Sequence, residues 1–379
     1  MYSFSKAIFV LCKCMGVAPV KLVNGEYVFS YVNFFYNVIF LTSLVCVGLH
    51  ALLSDYKSTF RGKSVRMKTR TAIVVTFLEI FLNMIVIASG ILGAAFNYQK
   101  IHEIASVLKR VDEELRTKWN FRKFNFILCG ILIHHVLLIY VDTYFWFSLT
   151  PDSWSYAVCY AYFFVEIAIE AQFALIAWGI KCRFQKINDT LAENLAYKYF
   201  TKYKRPFHLK QHLSFEIFQE LHWSLCEAIQ IVNNGFGWQL LTSVLCICVH
   251  IIVTPYFLLL DLFYPAAYGS ADIGFLILQV VWIITHHIHL LLIVIPASET
   301  TMQAKKASII LSENLNCCIP TADILKLESF ILQLKKHSIK FSACGLFYLQ
   351  RPVITSLIGS VVTYLVILIQ FQNSDKVYH

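Results

Sequence analysis

Long apolar stretches separated by short polar segments dominate the pattern of this chain. Twenty apolar residues are enough to cross a bilayer core of ~30 Å as an α-helix. We predict seven spans, at residues 28–53, 71–96, 124–150, 156–180, 238–263, 273–296 and 352–371. The pattern therefore predicts an all-α membrane protein. Because neither a low-complexity linker nor an internal repeat interrupts it, we predict one domain over residues 1–379.

The last predicted span, residues 352–371, has no charged residue but carries a stripe of mostly polar side chains. The stripe residues recur at steps of three and four, which places them on one helical face. They are Ser356, Ser360, Thr363, Ile367 and Gln370. A lipid-facing helix gains nothing from such a stripe. The pattern predicts a helix that lines an aqueous path or packs against copies of itself.

Composition supports membrane insertion and changes the interpretation of the charge. The 379 residues are 58% hydrophobic and only 15% charged, which is too apolar for a soluble protein. The net charge of +9 is best explained by basic loops that fix topology, so we expect the lipid bilayer as a partner and no nucleic acid.

The basic residues predict the orientation in the membrane. The third and fifth loops between the predicted spans contain no Lys or Arg, whereas the second, fourth and sixth contain 7, 8 and 7. Because cytoplasmic loops are rich in Lys and Arg, the amino terminus is predicted to be cytoplasmic and the carboxyl terminus extracellular. The first loop, residues 54–70, disagrees because it carries six basic residues on the predicted outer side.

The predicted cytoplasmic loops are long and have helical periodicity. Apolar positions recur every three or four residues within 101–115, 218–229 and 324–334. We predict long cytoplasmic helical extensions that pack together and offer a place for subunits to join. Helices lying on the membrane surface are the alternative.

Ionisable and aromatic residues within the spans provide the candidate chemistry. An ionisable group in a span is costly, so it is a functional hypothesis by default. Aromatic rings with a few polar groups near the outer ends of the spans predict a pocket for a small polar or amphipathic ligand. Our pocket candidates are Glu79, Asp142, Tyr144, Trp146, Tyr160, Glu166, Tyr256, Gln279 and Trp282.

We predict neither a metal site nor an enzyme. The spacing of His286, His287 and His289 does not place three imidazoles on one helical face. No Ser-His-Asp order, phosphate loop or paired-carboxylate motif stands out in the loops, so we expect no catalytic residue and no cofactor.

The end of the chain resembles the insect gustatory receptor family, which is related to the insect odorant receptors. The family signature of Thr-Tyr, five hydrophobic residues and Gln-Phe is present as Thr363, Tyr364, residues 365–369, Gln370 and Phe371. The preceding segment, residues 341–347, is also similar to the family's approach to the last span. The strong similarity covers about the last tenth of the chain, and the predicted topology agrees over its whole length.

The resemblance implies a homotetrameric or heterotetrameric ligand-gated cation channel in the plasma membrane of gustatory receptor neurons. Each subunit would contribute its last helix to a central pore and bind a small-molecule tastant in its outer half. At the matching positions of the family signature, Phe371 would close the gate and Gln370 would line the open path. The stripe adds Ile367 as a second constriction, with Thr363, Ser360 and Ser356 along the pore.

The sequence leaves alternatives open. A secondary transporter that uses intramembrane Asp, Glu and His residues is the second hypothesis. The predicted topology opposes a metabotropic receptor. The aromatic content favours a bitter compound or a contact cue over a sugar as the tastant.

Overall fold

The computed structural model describes residues 6–23, 26–60, 64, 66–149, 159–200, 214–263, 273–315, 321–336 and 339–377. The helices are α1 (Lys6–Cys14), α2 (Tyr31–Thr59), α3 (Arg70–Phe96), α4 (Tyr98–Glu114), α5 (Arg122–Leu149), α6 (Tyr160–Phe200), α7 (Phe215–Phe263), α8 (Ile273–Leu315), α9 (Thr321–Lys336) and α10 (Pro352–Val377). The strands are β1 (Val20–Val23), β2 (Glu26–Phe29), β3 (Ser342–Ala343) and β4 (Phe347–Tyr348).

Seven of these helices are long and apolar enough to cross a membrane, which confirms the predicted number of spans. They are α2, α3, α5, α6, α7, α8 and α10. The first span starts later than predicted, because Val28 lies in β2 and the helix begins after Ser30, whose hydroxyl accepts a hydrogen bond from Asn33 N. Residues 150–158, at the end of the third predicted span and the start of the fourth, lie outside the described residues.

Three of the spanning helices are much longer than a bilayer requires. Helices α6, α7 and α8 have 41, 49 and 43 residues. At 1.5 Å per residue they are about 60 to 75 Å long, roughly twice the thickness of a bilayer core. The predicted amphipathic stretches fall in α4, in the first half of α7 and in α9, and these pack into the same bundle. We call the end of the molecule that contains α4, the first half of α7 and α9 the extension end. The opposite end, which contains Glu79 and Asp142, is the pocket end.

Helix α6 lies at the centre of the bundle. Buried residues make up 83% of its apolar stretch, and it contacts α1, α3, α4, α5, α7 and α8. Glycines on α2 and α3 allow two side chains of α6 to approach those helices closely. A Cβ atom on Gly48 of α2 would lie 1.9 Å from the Tyr162 hydroxyl, and one on Gly90 of α3 would lie 2.1 Å from Ile169 Cδ1. Both distances are far inside van der Waals contact, so a larger residue at either position would force the helices apart.

A buried ion pair joins the helices at the extension end. Arg183 of α6 is fully buried and donates to Asp112 of α4 at 2.5 Å and to the Gly179 carbonyl at 2.7 Å. The indole N–H of Trp119 donates to the other oxygen of Asp112 at 2.6 Å. A buried charge of this kind is tolerated because it is both paired and hydrogen-bonded.

A buried histidine joins α7 to α8 in the same region, outside the predicted spans. His222 Nε2 donates to the Ala304 carbonyl at 3.0 Å, and its ring packs against Phe184 and Phe330. Burial lowers the pKa of His222 to about 4, because an apolar surrounding disfavours the charged imidazolium.

Among the described residues, two short antiparallel hairpins are the exceptions to the helical fold, and the sequence pattern did not predict them. In β1–β2, Val20 is paired with Phe29, and the Tyr98 hydroxyl of α4 donates to the Tyr27 carbonyl at 2.7 Å. The β3–β4 hairpin immediately precedes the last helix. The organisation of residues 1–379 as one domain stays a prediction.

Candidate ligand pocket and pore helix

A cavity of about 120 Å³ lies at the pocket end, between α3, α5, α6, α7 and α8. A cavity of ~150 Å³ admits a benzene ring, so this one takes a molecule about one ring in size. Polar and aromatic side chains line it together: Arg66, Glu79, Asn83, Asp142, Thr143, Trp146, Tyr160, Tyr162, Phe163, His250, Thr254, Gln279, Trp282 and His286.

Helical periodicity explains how distant parts of the sequence meet in this cavity. Residues four apart lie one above the other on a helix, and α3, α5 and α7 each supply such a pair. These pairs are Glu79 with Asn83, Asp142 with Trp146 and His250 with Thr254. Helix α8 supplies three residues at steps of three and four, Gln279, Trp282 and His286. Each helix therefore presents a narrow polar stripe to the cavity and apolar residues elsewhere.

An ion pair fixes one wall of the cavity. Arg66 precedes α3, and its Nη2 lies 3.0 Å from Glu79 Oε2. The other oxygen of Glu79 lies 3.6 Å from His250 Nε2. The segment that carries Arg66 is held by Ser64, whose hydroxyl donates to Asp55 Oδ1 and accepts from Met67 N, both at 2.8 Å. The loop between α2 and α3, and not a helix, thus positions the Arg66 guanidinium.

Stacked rings form the opposite wall around a second carboxylate. The Tyr160 hydroxyl donates to Asp142 Oδ2, and Trp282 stacks on Tyr160 with an interplanar angle of 9°. Trp282 also stacks on His286, which in turn stacks on His250 at 4.7 Å between ring centroids. The second oxygen of Asp142, Oδ1, has no hydrogen-bond partner among the described residues. Asp142 lines the cavity, so its carboxyl group lies beside an occupant.

The structure brings six of the nine predicted pocket residues to this cavity: Glu79, Asp142, Trp146, Tyr160, Gln279 and Trp282. The other three lie elsewhere. Tyr144 is 67% exposed, because it lies two residues from both Asp142 and Trp146 and so points away from them around α5. Tyr256 is fully buried in a separate apolar cluster with Val75 and Leu260.

Glu166 is the third predicted pocket residue that does not line the cavity. It lies one turn further along α6 than Phe163, which does line it. Glu166 is buried beside Glu170 and His289, and the ligating atoms of these three residues lie within 4.8 Å of one another. Sequence reasoning missed this cluster because His289 comes from another helix, α8.

Sequence reasoning also missed other residues that line the cavity: Arg66, Asn83, His250, Thr254 and His286. A signal existed for three of them, since His250 with Thr254 and Glu79 with Asn83 repeat the four-residue spacing of Asp142 with Trp146. A second signal was the unexpectedly basic first loop, which contains Arg66.

The last helix, α10, has a packed face and an uncovered stripe. Ile354, Leu357, Val361, Leu365 and Leu368 pack against apolar clusters of the bundle, chiefly through α7 and α3. The stripe predicted from sequence lies on the opposite side, and all of its residues are exposed: Ser356, Ser360, Thr363, Ile367 and Gln370. Phe371 beside it is 61% exposed. The bundle that buries α6 therefore leaves the polar side of α10 without a covering element of this chain among the described residues.

The stripe hydroxyls are compatible with an apolar or an aqueous neighbour. Ser356 donates to the Pro352 carbonyl at 3.1 Å, and Ser360 donates to the Ser356 carbonyl at 3.1 Å. Each hydroxyl thus satisfies its donor within its own helix and still presents acceptor lone pairs outward.

Fold and cavity together define a seven-helix membrane protein with an internal pocket at one end. The chain belongs to the 7tm chemosensory receptor family, since the sequence profile of that family matches residues 5–374. This result confirms the insect chemoreceptor resemblance of the carboxyl-terminal signature.

Individual relatives agree with the family. The chain is 26% identical to a Drosophila melanogaster protein described as gustatory receptor for sugar taste 43a, over 98% of each chain. Its structure is similar to the insect olfactory receptor OR5 from Machilis hrabei, with a TM-score of 0.63 and 11% identity. The same receptor in complex with eugenol gives a TM-score of 0.58 and 14% identity. Both matches cover 97% of each chain, and at these identities they show a common fold.

Proposed function

We propose that this chemosensory receptor is a subunit of a ligand-gated, non-selective cation channel that detects a small tastant. The uncovered polar stripe of α10 carries the proposal. A helix with an exposed line of hydroxyl and amide groups gains little against lipid, even with its hydroxyl donors satisfied within the helix, but it is well suited to an aqueous path. The stripe is therefore best satisfied when copies of α10 face one another around a central axis.

The three sides of α10 suit a ring of subunits around an axis, and the resemblance to insect gustatory receptors favours four of them. One side packs on its own bundle, and the polar stripe faces the axis. The third side carries the exposed apolar residues Ile358, Val362 and Val366, which suit contact with the neighbouring subunit or with lipid. The partners are copies of this chain or other gustatory receptor subunits, joined also through the helical extensions.

Within this arrangement, Phe371 and Ile367 form the apolar constrictions, and Gln370 provides an uncharged polar lining between them. A ring of apolar side chains closes a narrow pore by excluding water. The stripe has no acidic residue, so the pore selects cations weakly and without preference for Ca²⁺.

We further propose that the pocket end is extracellular and that the extension end and the amino terminus are cytoplasmic. The loop charges support this orientation, and the pairing of Arg66 with Glu79 gives one of the six basic residues of the first loop a role at the outer side. The receptor then resides in the plasma membrane, with the cavity open to external tastants.

For the tastant, we propose a single-ring molecule with several hydroxyl groups, of the sugar class. Because the cavity of about 120 Å³ is smaller than the ~150 Å³ cavity that holds benzene, binding requires the lining side chains to move outward. The cavity offers two carboxylates, two amides and an Arg, which suit hydroxyl donors and acceptors, together with planar rings that suit the apolar face of a sugar ring. The Drosophila relative described as a sugar taste receptor supports the same class. The sequence alone favoured a bitter compound or a contact cue because of its aromatic content.

Recording from the purified chain in planar bilayers tests the proposal, with a panel of monosaccharides and single-ring aromatic compounds. A ligand-gated channel gives unitary current steps that one class of compound evokes. Small saturable currents without unitary steps, across the whole panel, would contradict the channel and support the alternative of a secondary transporter. Steps evoked only by the aromatic compounds would contradict the sugar class but not the channel.

A further inference from the structure

We propose that Glu166, Glu170 and His289 form a binding site for one divalent transition-metal ion, of which Zn²⁺ is the probe, inside the bundle. The site is separate from the ligand cavity and does not rest on channel activity. It lies a helical turn deeper, since His286 and Phe163 line the cavity while His289 and Glu166 each follow three residues later.

The side chains provide a ligand set for a transition metal. Two carboxylates and one imidazole are common ligands of Zn²⁺, with bonds of about 2.0 to 2.2 Å. Their ligating atoms already lie within 4.8 Å of one another, and tetrahedral coordination places ligand atoms about 3.3 Å apart. Rotations of the side chains close that difference without movement of the helices.

Unsatisfied atoms point to a missing partner. Glu166 and Glu170 are 3% and 0% exposed, and one carboxylate oxygen of each, Oε1, has no hydrogen-bond partner among the described residues. Two buried carboxyl groups without a cationic side chain in the cluster are expensive in a membrane interior. A divalent ion neutralises both carboxylates and occupies their open lone pairs.

A second layer of hydrogen bonds orients the imidazole toward the site. His135 Nδ1 donates to the Ile131 carbonyl at 2.8 Å, since a carbonyl can only accept. With His135 as a neutral imidazole, its Nε2 is an acceptor, and His289 Nε2 lies 2.8 Å away and donates to it. The lone pair of His289 then lies on Nδ1, which faces Glu170 Oε2 at 2.7 Å.

This arrangement is the one that metal-binding histidines require. A ligating His usually donates its other N–H to a fixed acceptor, which sets the tautomer and the ring orientation. In the absence of metal, the short contact between Nδ1 and the Glu170 carboxyl group must contain a proton. Binding of a divalent ion displaces that proton to solvent, and the ion then links α6 to α8, the two helices whose adjacent turns line the cavity.

The test measures metal content of the full chain in nanodiscs, purified without a histidine tag. After equilibration with Zn²⁺ and dialysis, we expect close to one ion per chain by elemental analysis. Glu166→Gln and His289→Gln should lose the ion, and the positioning variant His135→Gln should bind it about 10- to 100-fold more weakly. His287→Gln is the matched control, because His287 lies on the same helix and donates to the Ile283 carbonyl at 2.7 Å.

A measurement on the unmodified protein removes any dependence on the folding of variants. Co²⁺ in place of Zn²⁺ should give the intense visible absorption of tetrahedral cobalt, and Zn²⁺ should abolish it in competition. Three results would overturn the proposal: far less than one ion per chain, an equal loss of metal in His287→Gln, or only the weak spectrum of hydrated Co²⁺. The last two would indicate adventitious binding, and the first would indicate that the cluster takes up protons alone.

Discussion

Replacing Asp142 by Asn is expected to weaken the response to ligand without changing the pore. The substitution keeps the size of the side chain and the hydrogen bond from the Tyr160 hydroxyl, but it removes the negative charge from a side chain that lines the cavity. A hydrogen bond to a charged group contributes about 1.5 to 3 kcal/mol and a neutral one about 0.5 to 1.5. The difference, about 1 to 1.5 kcal/mol, corresponds to a roughly 5- to 12-fold higher half-maximal concentration.

The assay compares concentration–response curves and single-channel currents of the same variant. Asp142→Asn should raise the half-maximal ligand concentration and leave unitary conductance and relative ion permeability unchanged. Gln370→Ala, in the exposed stripe of α10, should alter conductance or selectivity and leave the half-maximal concentration within about twofold. Tyr140→Phe is a matched control on α5, because Tyr140 is 72% exposed and does not line the cavity.

Separate pocket and pore regions require that the two substitutions have different effects. Equal shifts in ligand sensitivity from Asp142→Asn and Gln370→Ala would argue against separate pocket and pore regions. An unchanged half-maximal concentration in Asp142→Asn, with normal surface expression, would show that the ligand does not use this carboxylate.

Further predictions concern the loop cation and the extension end. Arg66→Gln should raise the half-maximal ligand concentration about fivefold, the equivalent of ~1 kcal/mol, because Glu79 loses its partner at 3.0 Å. Concentration–response curves measure this shift, and an unchanged curve would contradict the prediction. Asp112→Ala should destabilise the protein by about 3 kcal/mol, because the buried Arg183 loses its carboxylate partner. The value is at the low end for a buried pair, since the Asp112 side chain is 17% exposed. Thermal unfolding in detergent measures this, and a loss below about 0.5 kcal/mol would contradict it. The pKa of His222 is lowered to about 4 in the folded protein, so the neutral side chain stabilises the fold. This contribution to the free energy of unfolding is complete above pH 6.5 and is lost as the pH falls toward 4, by up to ~3 kcal/mol. The slope of stability against pH should flatten in His222→Gln, and an unchanged slope would exclude His222 as its source.

The sequence determined the spans and the special character of the last helix. Both follow from local rules: a bilayer sets the length of an apolar helix, and 3.6 residues per turn place Ser356, Ser360 and Thr363 on one face. The same local pattern identified the amphipathic stretches in α4, α7 and α9. It could not show that those stretches continue the spanning helices at the extension end, as in α7, because periodicity alone also fits a helix on the membrane surface.

Tertiary structure decided which of the predicted polar residues share a site and which other residues join them. Glu79, Asp142 and Trp282 are far apart in the chain and meet because three helices converge at one end of α6. Tyr256 shows the opposite case, since it fits the predicted pocket in depth and chemistry but faces an apolar cluster. Depth in the membrane follows from position in the sequence, whereas the direction in which a side chain points around its helix depends on the neighbours that pack there. For the same reason, the grouping of Glu166 and Glu170 with His289 emerges only when α6 and α8 are in contact.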